Sequence, residues 1–442
     1  MGNMSGQRIL VVGAGHVGLY VAMRLSRKLR KGEAEVTVVD PHGHMTYQPF
    51  LPEVSAGSIE PRHAVVPLRR ELRRCHILSG EVIRVEHARK VATVQPIIGP
   101  AREVGYDQIV LAPGSVSRTL PIPGLHEQAV GFKTMGEAIY LRNRVLDQLN
   151  VAATTSDPAT RKAALTFVFV GGGYAGIEAL AELEDMARWA LRYYPELDAD
   201  EMHWVLVEAT MRILPEVDPD MGAYTVKQLL RRRLDIRLGT RLESCVDGVV
   251  KLSDGDQFAA DTIVWTAGVK PHPMLRATDL PLDDKGRITC LPTLQVVTDG
   301  TVLDCAWAAG DSAAVPDLTK PGQLTGPSAQ HAVRQAARLA DNIVAVLRGG
   351  TPAEYRHKYV GSVASLGLYK GVAQVYGVKV KGYPAWFMHR TYHLLRIPSF
   401  NRKVRVVIDW TLALFLRREV VALGELHEPR GSFTEVTPPV SH

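Results

Sequence analysis

Two glycine-rich turns constrain the fold of this 442-residue chain more than any other feature. Each turn follows an apolar run, ILVV before the first and LTFVFV before the second, and each precedes a helical pattern. In such a turn one glycine permits the tight bend, one lets backbone approach a pyrophosphate, and one lets the helix pack on the strand. The pattern predicts two dinucleotide-binding units. The glycines are Gly13, Gly15 and Gly18 in the first turn and Gly171, Gly173 and Gly176 in the second.

An acidic residue closes the second strand of each unit. The strand AEVTVVD ends at Asp40, 22 residues after Gly18, and the strand HWVLVEA carries Glu208. A carboxylate at this position accepts hydrogen bonds from ribose hydroxyls. Glu208 would also repel a 2′-phosphate, which favours NADH over NADPH, whereas the nearby cation Arg212 acts against that preference.

Three further segments run from a strand into a glycine turn. LDCAWAAGDSA at 303–313 supports a flavin, because it places the carboxylate of Asp311 at a strand end, whereas IVLAPGS at 109–115 and TIVWTAGV at 262–269 are expected where the chain passes between domains. Together with two nucleotide units, these segments predict bound FAD at the first turn and NADH as co-substrate at the second. The candidate cofactor-binding residues outside the two turns are Asp40, Val82, Gly114, Glu208, Gly268, Gly310 and Asp311.

The order of the motifs, GxGxxG, LAPGS, GxGxxG, TAGV and AAGD, resembles that of the two-dinucleotide-domain flavoprotein superfamily over residues 8 to about 345. Within it the chain most resembles the type II NADH dehydrogenases, which are single-subunit NADH:quinone oxidoreductases. The matching stretches are YQPFLPEVSAG, GGGYAGIEALAEL, LVEATMRILPEVDPDM and PSAQHAVRQA. The resemblance implies FAD-dependent electron transfer from NADH to a membrane quinone, menaquinone or ubiquinone, without proton pumping.

The resemblance also implies roles for residues outside the turns. It puts Glu178 where the nicotinamide docks on the flavin, as a catalytic carboxylate that orients the carboxamide or supplies protons. The family motif is close to AQxAxQQ and corresponds to AQHAVRQ here, so Gln330 is a catalytic candidate near the flavin and the quinone. Arg334 and Gln335 are candidates for the quinone side, and Arg334 stands where the family has a glutamine.

The cysteines do not form a pair that could relay electrons. Cys75, Cys245, Cys290 and Cys305 make no CxxC or Cys/His cluster, so we expect reduced thiols and no metal site. Disulfide reductases of the superfamily carry two cysteines in the region that reads YQPFLPEVSAG here, and sulfide:quinone oxidoreductases also need a pair at the flavin. Direct transfer from the flavin to an external acceptor is the remaining expectation.

Basic and aromatic residues are concentrated near the C-terminus. Residues 385–419 hold seven basic and two acidic residues, a net charge of +5 against +6 for the whole chain. The segment has two helix candidates separated by Pro398, both shorter than the roughly 20 residues that span a bilayer. Short apolar helices flanked by arginine and lysine suit a membrane surface, not a nucleic acid. The alternative is a helix pair packed in the core or in a homodimer.

These observations predict an α/β fold with two Rossmann-like dinucleotide-binding domains. The NADH domain (123–285) would split the FAD domain (1–122 and 286–345), and residues 346–442 would form a small sheet and amphipathic membrane-binding helices. The nucleotide domains should be complete without this tail. We expect a peripheral protein on the cytoplasmic face of the cell membrane. The alternatives are an NADH-dependent reductase of a ferredoxin-like protein, sulfide/quinone chemistry, and a flavoprotein with a binding or signalling role.

Overall fold

The computed structural model describes residues 6–357 and 361–423, so part of the predicted C-terminal segment, residues 424–442, lies outside the described residues. The helices are α1 (His16–Lys28), α2 (Leu51–Ser55), α3 (Leu68–Glu71), α4 (Leu125–Gln128), α5 (Met135–Thr154), α6 (Pro158–Ala164), α7 (Tyr174–Ala190), α8 (Pro219–Arg231), α9 (Ala329–Leu347), α10 (Tyr383–Arg396) and α11 (Phe400–Phe415).

The strands are β1 (Gln7–Val12), β2 (Ala34–Asp40), β3 (His44–Thr46), β4 (Val65–Pro67), β5 (His76–Glu86), β6 (Val91–Pro96), β7 (Arg102–Gly105), β8 (Gln108–Leu111), β9 (Ser115–Ser117), β10 (Ala129–Gly131), β11 (Thr166–Val170), β12 (His203–Glu208), β13 (Asp235–Leu238), β14 (Leu242–Ser244), β15 (Val249–Leu252), β16 (Gln257–Ala259), β17 (Thr262–Trp265), β18 (Val269–Pro271), β19 (Ile288–Thr289), β20 (Gln295–Thr298), β21 (Thr301–Ala308), β22 (Ala313–Ala314), β23 (Gly361–Ser365), β24 (Gly371–Val375) and β25 (Val378–Lys381).

The chain forms two compact units, each assembled from separate stretches of sequence. Unit 1 comprises the described residues of 1–47, 65–116 and 269–359. Unit 2 comprises the described residues of 48–64, 117–268 and 360–442. The predicted α/β class is confirmed, since both units are built on sheets with parallel cores covered by helices.

Unit 1 contains an eight-stranded sheet in the order β20-β21-β8-β1-β2-β5-β6-β7. Its five central strands, β21 to β5, run parallel, whereas β20, β6 and β7 pair antiparallel. The last four residues of β1 are all buried, as expected for a central parallel strand covered on both faces. Helices α1 and α9 pack against each other in this unit.

Unit 2 contains a five-stranded parallel sheet in the order β10-β17-β11-β12-β13. Every residue of β11 is buried, and the Phe167 ring stacks on Trp204 of β12 at 4.2 Å between centroids. The chain then turns into α7, whose buried face meets the short helix α2. Residues 48–64 therefore belong to this unit, although the strands of the unit 1 sheet both precede and follow them in sequence.

The C-terminal part of unit 2 holds the small sheet and the two helices predicted from the sequence. Strands β23, β24 and β25 form an antiparallel sheet, and α10 packs against it. Pro398 lies between α10 and α11, where its missing N–H and fixed φ interrupt the helix. Among the described helices, none has both the length and the apolar composition that crossing a membrane requires.

A buried ion pair attaches the C-terminal sheet to α7. The Arg232 guanidinium contacts the fully buried Glu184 and lies 2.9 Å from a carboxylate oxygen of Asp185. Its other arm donates to the Leu366 carbonyl oxygen at 2.6 Å, in the loop between β23 and β24. Arg232 thus bridges two acids of α7, which also contact Arg188 and Lys370, and it holds the loop in place.

Arg232→Met should lower the free energy of unfolding of the protein by about 3–5 kcal/mol, because it leaves the fully buried Glu184 with only the more exposed Arg188 as a counter-charge. Denaturant-induced unfolding followed by circular dichroism measures the change. Arg89→Met is the matched control, since it removes exposed ion pairs with Glu86 and Glu103 and should shift the unfolding midpoint much less. Equal unfolding midpoints for the two variants would contradict the role of the buried pair.

Candidate functional site

The first glycine-rich turn has the close approaches that exclude side chains. Gly13 has φ +85°, and a Cβ there would lie 2.5 Å from the Ala112 carbonyl oxygen. A Cβ at Gly18 would overlap the Gly13 carbonyl oxygen, so helix α1 packs directly on the turn. At Gly15 a Cβ would meet nothing within 4 Å. The middle glycine therefore faces open space, where backbone can approach a phosphate.

The second turn repeats this geometry in unit 2. Gly171 has φ +116°, and a Cβ there would lie 2.7 Å from the Thr266 carbonyl carbon. A Cβ at Gly176 would overlap the Gly171 carbonyl oxygen, whereas one at Gly173 would meet nothing within 4 Å. Gly173 is the N-cap of α7, and its cap makes no side-chain hydrogen bond within the described residues. The first N–H groups of α7 thus remain available to an anion.

The acid at the end of β2 is bonded to the first turn. One carboxylate oxygen of Asp40 accepts the Ala14 N–H at 2.7 Å, and the other accepts the His42 N–H at 2.7 Å. The carboxylate therefore lies beside the glycine-rich turn, where a ribose next to the bound phosphates would reach it.

Glu208 makes the same pair of bonds in unit 2. Its carboxylate accepts the Gly172 N–H at 2.6 Å and the Thr210 N–H at 2.8 Å. Arg212 donates instead to the carbonyl oxygens of Pro215 and Val217, at 3.3 and 2.5 Å. The cation that could oppose the preference for NADH is therefore engaged with backbone.

Hydrogen bonds within unit 1 connect the predicted FAD segment around Gly310 to the turn that follows β8. Ser115 Oγ donates to the Asp311 carboxylate at 2.5 Å, and the Gly114 N–H donates to Ser312 Oγ at 2.9 Å. Gly310 has φ +71°. The structure thus brings the LAPGS and AAGD motifs together, as two turns at neighbouring strand ends should be, since β8 pairs with β21.

Gln335 lies beneath this turn and not at its surface. Its side chain is fully buried, its Oε1 accepts the Gly310 N–H at 2.7 Å, and its Nε2 donates to Thr325 Oγ1 at 3.2 Å. Both ends of the amide are therefore occupied by protein groups.

Two other predicted cofactor residues occupy different surroundings. Val82 is buried within β5, where it pairs with Val94 of β6. Gly268 of unit 2 has φ +98°, and a Cβ there would meet nothing within 4 Å.

The start of α9 carries a polar cluster that includes two of the predicted quinone-side residues. Gln330 and Arg334 are both half-buried, and Arg334 Nη1 lies 3.2 Å from His357 Nδ1. His331 Nδ1 lies 2.9 Å from the Tyr355 hydroxyl, and its ring is 4.1 Å from the His357 ring. Burial, then the neighbouring His357, lowers the pKa of His331 to about 4, so this histidine is neutral at physiological pH.

Glu178 lies in a buried polar cluster of unit 2. Its Oε1 accepts the Ser365 N–H at 2.8 Å and lies 3.0 Å from His389 Nε2 of α10. Glu182, one turn further along α7, is also buried and accepts the Ser365 hydroxyl at 2.8 Å. Burial, then the charge of Glu53, raises the pKa of Glu182 to about 7.

Glu53 supplies a third buried carboxylate to this cluster from α2. It accepts the indole N–H of Trp410 at 2.7 Å and lies 3.2 Å from the Arg390 guanidinium. That guanidinium also lies over the Trp386 and Trp410 rings, at 4.2 and 4.8 Å. The sequence interpretation missed Glu53, Glu182, His389 and Arg390 as members of a site. The one available signal was the spacing of Glu178 and Glu182, four residues apart on α7 and therefore on one face of the helix.

The tail helices contact buried acids of unit 2, a feature that the expectation of nucleotide domains complete without the tail did not include. Helices α10 and α11 provide the partners of two buried carboxylates, since His389 meets Glu178 and both Arg390 and Trp410 meet Glu53. Removing these helices would take His389 from Glu178 and would take both the cation and the indole donor from Glu53.

The cysteines give no sign of a thiol relay. All four are free thiols, and Cys245 and Cys290 are buried. Burial raises the pKa of Cys290 strongly, which keeps its sulfur protonated and unreactive.

Comparisons with known proteins agree with this arrangement. Residues 7–336 match the family described as pyridine nucleotide-disulphide oxidoreductase. A type II NADH:quinone oxidoreductase of Mycobacterium tuberculosis is 27% identical over 426 residues, which cover 93% of this chain and 89% of that protein. An external alternative NADH-ubiquinone oxidoreductase of Yarrowia lipolytica is 26% identical, with 94% of this chain and 81% of that protein covered.

The fold has a solved counterpart. The structure of NDH2 from Plasmodium falciparum in complex with NADH superposes with a TM-score of 0.86 at 16% sequence identity, over 94% of this chain and 99% of that chain. The predicted resemblance to type II NADH dehydrogenases is therefore confirmed. Because the family match extends over well more than half of the sequence, the chain belongs to the pyridine nucleotide-disulphide oxidoreductase family.

Proposed function

We propose that this protein is an FAD-dependent oxidoreductase that transfers electrons from NADH to a quinone without pumping protons. The observation that carries the proposal is the duplication of one nucleotide site, a glycine turn bonded to a strand-end acid, in unit 1 and in unit 2. The names of the relatives describe NADH and quinone or ubiquinone as reactants. The absence of a cysteine pair among the four thiols favours direct transfer to an external acceptor.

FAD fits the turn of unit 1. The open space at Gly15 would receive the pyrophosphate, Asp40 would accept ribose hydroxyls, and the Gly310–Asp311 turn would lie against the flavin part of the molecule. Gly114 and Val82 remain proposed contacts. When bound, FAD supplies the ability to accept a hydride and to release electrons to a second acceptor.

NADH fits the turn of unit 2. The open space at Gly173 would receive its pyrophosphate, and Glu208 would accept its adenosine ribose hydroxyls. The Arg212 guanidinium donates to backbone carbonyl oxygens, so it is not placed to pair with the 2′-phosphate of NADPH. This supports a preference for NADH over NADPH. Gly268 would lie near the dinucleotide, and Glu178 would orient the nicotinamide through its carboxamide.

The acceptor side is proposed at the start of α9. Gln330 would contact the quinone, menaquinone or ubiquinone, and Arg334 would shape the acceptor preference from its position beside His357. Gln335 is better explained as a support of the FAD turn, since both ends of its amide are bonded within unit 1. The proposed domains remain residues 1–122 and 286–345 for FAD, 123–285 for NADH and 346–442 for the C-terminal segment.

Gly15→Ala and Gly173→Ala should impair the two nucleotides separately. Both glycines have backbone angles that alanine adopts, and both face open space, so the added methyl group should clash only with a bound phosphate. Gly15→Ala should reduce the FAD content of the purified protein. Gly173→Ala should leave FAD content unchanged and raise the KM for NADH about tenfold or more. Absorbance spectra and steady-state kinetics measure both effects. Two variants that lose neither FAD nor NADH affinity would overturn the proposal.

Gln330→Ala should slow reoxidation of the flavin by quinone by about tenfold to thousandfold while leaving its reduction by NADH rapid, because a positioned polar group is lost on the acceptor side only. Stopped-flow absorbance at the flavin band separates the two steps. Arg334→Gln is the matched control on the same helix, and it should change the preference among quinones without altering affinity for NADH. Unchanged reoxidation in Gln330→Ala would place the acceptor elsewhere.

A membrane surface is the proposed partner of α11. Val406 is the one residue of this helix that is buried, whereas the following large apolar side chains of α11 and its flanks are exposed: Phe400, Val404, Val407, Ile408, Leu412, Leu414, Phe415 and Leu416. An exposed apolar face rimmed by Arg405 and Arg417 suits the boundary between headgroups and acyl chains. We assign it to the cytoplasmic face of the cell membrane.

The residues predicted to face the membrane divide into two groups. Trp386, Trp410 and Arg390 point into unit 2, where the arginine pairs with Glu53, so they attach the helices to the protein. Phe387 and Phe415 are exposed and remain candidates for lipid contact. The net charge available to anionic lipid is therefore smaller than the sequence count of +5 implies.

The double variant Phe400→Ser/Phe415→Ser should lose flotation with vesicles of anionic phospholipid, because these side chains are 80% and 82% exposed and supply apolar contact to α11. NADH oxidation with a water-soluble quinone should be retained. Ile97→Ser/Ile98→Ser is the matched control, since these residues of unit 1 are 69% and 90% exposed. If the phenylalanine variant still floats but becomes monomeric, α11 is a homodimer interface instead.

A further inference from the structure

Helix α10 places a histidine against the carboxylate that the proposed function puts beside the nicotinamide. His389 and Glu178 are 2% and 7% exposed, and Nε2 lies 3.0 Å from Oε1. The same Oε1 accepts the Ser365 N–H at 2.8 Å. Within the described part of the chain, Oε2 of Glu178 has no hydrogen-bond partner. One oxygen of Glu178 is thus held by the protein, and the other is left for a ligand.

Among the described residues, Glu178 is the acid that His389 contacts directly, at an ion-pair distance of 3.0 Å, and the His389 ring also lies 4.6 Å from the His393 ring. Neither ring nitrogen has hydrogen-bond geometry to a described residue, and Oε2 of Glu182 is likewise buried without a hydrogen bond. If the side chain at this position served packing alone, an apolar ring such as phenylalanine would cost less free energy to bury than a histidine. The contact with Glu178 is therefore the interaction that favours a histidine at position 389.

The charges around His389 favour its protonated form. Burial alone would lower its pKa, but the charge of Glu178, followed by those of Glu53 and Glu182, raises the pKa above its ordinary value. The titratable and charged groups that face this cluster come from α2, α7, α10 and the segment after α11: Glu53, Glu178, Glu182, Asp185, Arg390, His393 and Arg418. The ion pair of His389 with Glu178 is present below the raised pKa and is lost as the pH rises through it.

We propose that His389 is a positioning residue for NADH oxidation, whose ring holds the Glu178 carboxylate so that Oε2 accepts a hydrogen bond from the nicotinamide carboxamide. The inference rests on the proposed function, because it takes NADH as the ligand of unit 2. Glu178 contacts the substrate, and His389 acts through Glu178. The C-terminal helix α10 is thereby part of the NADH site as well as a support of the fold.

The experiment mixes the FAD-loaded full-length protein with NADH under anaerobic conditions, from acidic to alkaline pH, and follows bleaching of the flavin absorbance. In the wild type, the concentration of NADH that gives half the maximal rate should rise as the pH passes the raised pKa of His389. His389→Gln keeps a hydrogen-bond donor but no charge, so it should lose this pH dependence. His389→Phe should raise the half-saturating concentration about tenfold to a hundredfold, as expected when a buried carboxylate loses the cation beside it.

Two controls separate positioning from structural support. His203→Gln removes another histidine–carboxylate contact of unit 2, with Asp235 at 3.4 Å, and should leave the pH profile of NADH binding unchanged. In the Glu178→Gln background, His389→Phe should cause no further loss, because its effect passes through Glu178. Additive losses would assign His389 a structural role and overturn the inference.

The outcomes also distinguish this inference from the proposed function. A wild-type flavin that NADH does not bleach would overturn the proposed function and this inference with it. Bleaching with an identical pH profile in wild type and His389→Gln would overturn the inference alone. If the variants fail to fold, the wild-type profile still decides, since half-saturation that does not weaken at alkaline pH contradicts the proposal.

Discussion

Both nucleotide sites depend on one backbone contact, the packing of the third turn glycine against the carbonyl oxygen of the first. At Gly18 and at Gly176 a Cβ would overlap that oxygen, so each helix begins directly against its strand. This approach directs the first N–H groups of the helix toward the space beside the middle glycine. Asp40 and Glu208 then fix the turns by accepting one turn N–H each, at 2.7 and 2.6 Å. The rest of each site is arranged around this geometry.

Unit 2 carries an additional constraint, because its helices bury three acids close together. An ionised carboxylate in a protein interior costs several kcal/mol unless it is paired and hydrogen-bonded. Glu53 is contacted by the Trp410 indole N–H and the Arg390 guanidinium, and Glu178 is contacted by the Ser365 N–H and His389. The pKa of Glu182 is raised to about 7, which favours its neutral form below that pH. The C-terminal helices therefore have an inner face whose residues pair with buried acids, and α11 has an exposed apolar outer face.

The sequence was sufficient for features that local geometry determines. Glycine spacing after an apolar run specifies a strand, a turn and a helix start, and the strand-end acids at Asp40 and Glu208 follow from the same pattern. The break at Pro398 and the small C-terminal sheet were predictable for the same reason. In α9 the helical period alone would have placed Gln335 on the buried face with Ala332 and Leu339, whereas the family motif suggested a quinone contact.

Features that depend on distant residues were not predictable. Arg390 and Arg417 are both basic residues of the tail, yet one is buried beside Glu53 and the other is exposed. Arg390 is buried because it pairs with Glu53, which is more than three hundred residues away in sequence. No local sequence pattern encodes that pairing. The contact of His389 with Glu178 escaped notice for the same reason.

An anaerobic double-mixing experiment on the FAD-loaded protein tests the central claim most directly. The protein is mixed first with one equivalent of NADH and then with a menaquinone or ubiquinone analogue, while flavin absorbance and quinol formation are recorded. The account predicts that NADH bleaches the flavin, that quinone restores its absorbance, and that one quinol forms for each NADH consumed. A flavin that NADH leaves oxidised, or that neither quinone reoxidises, would contradict the account.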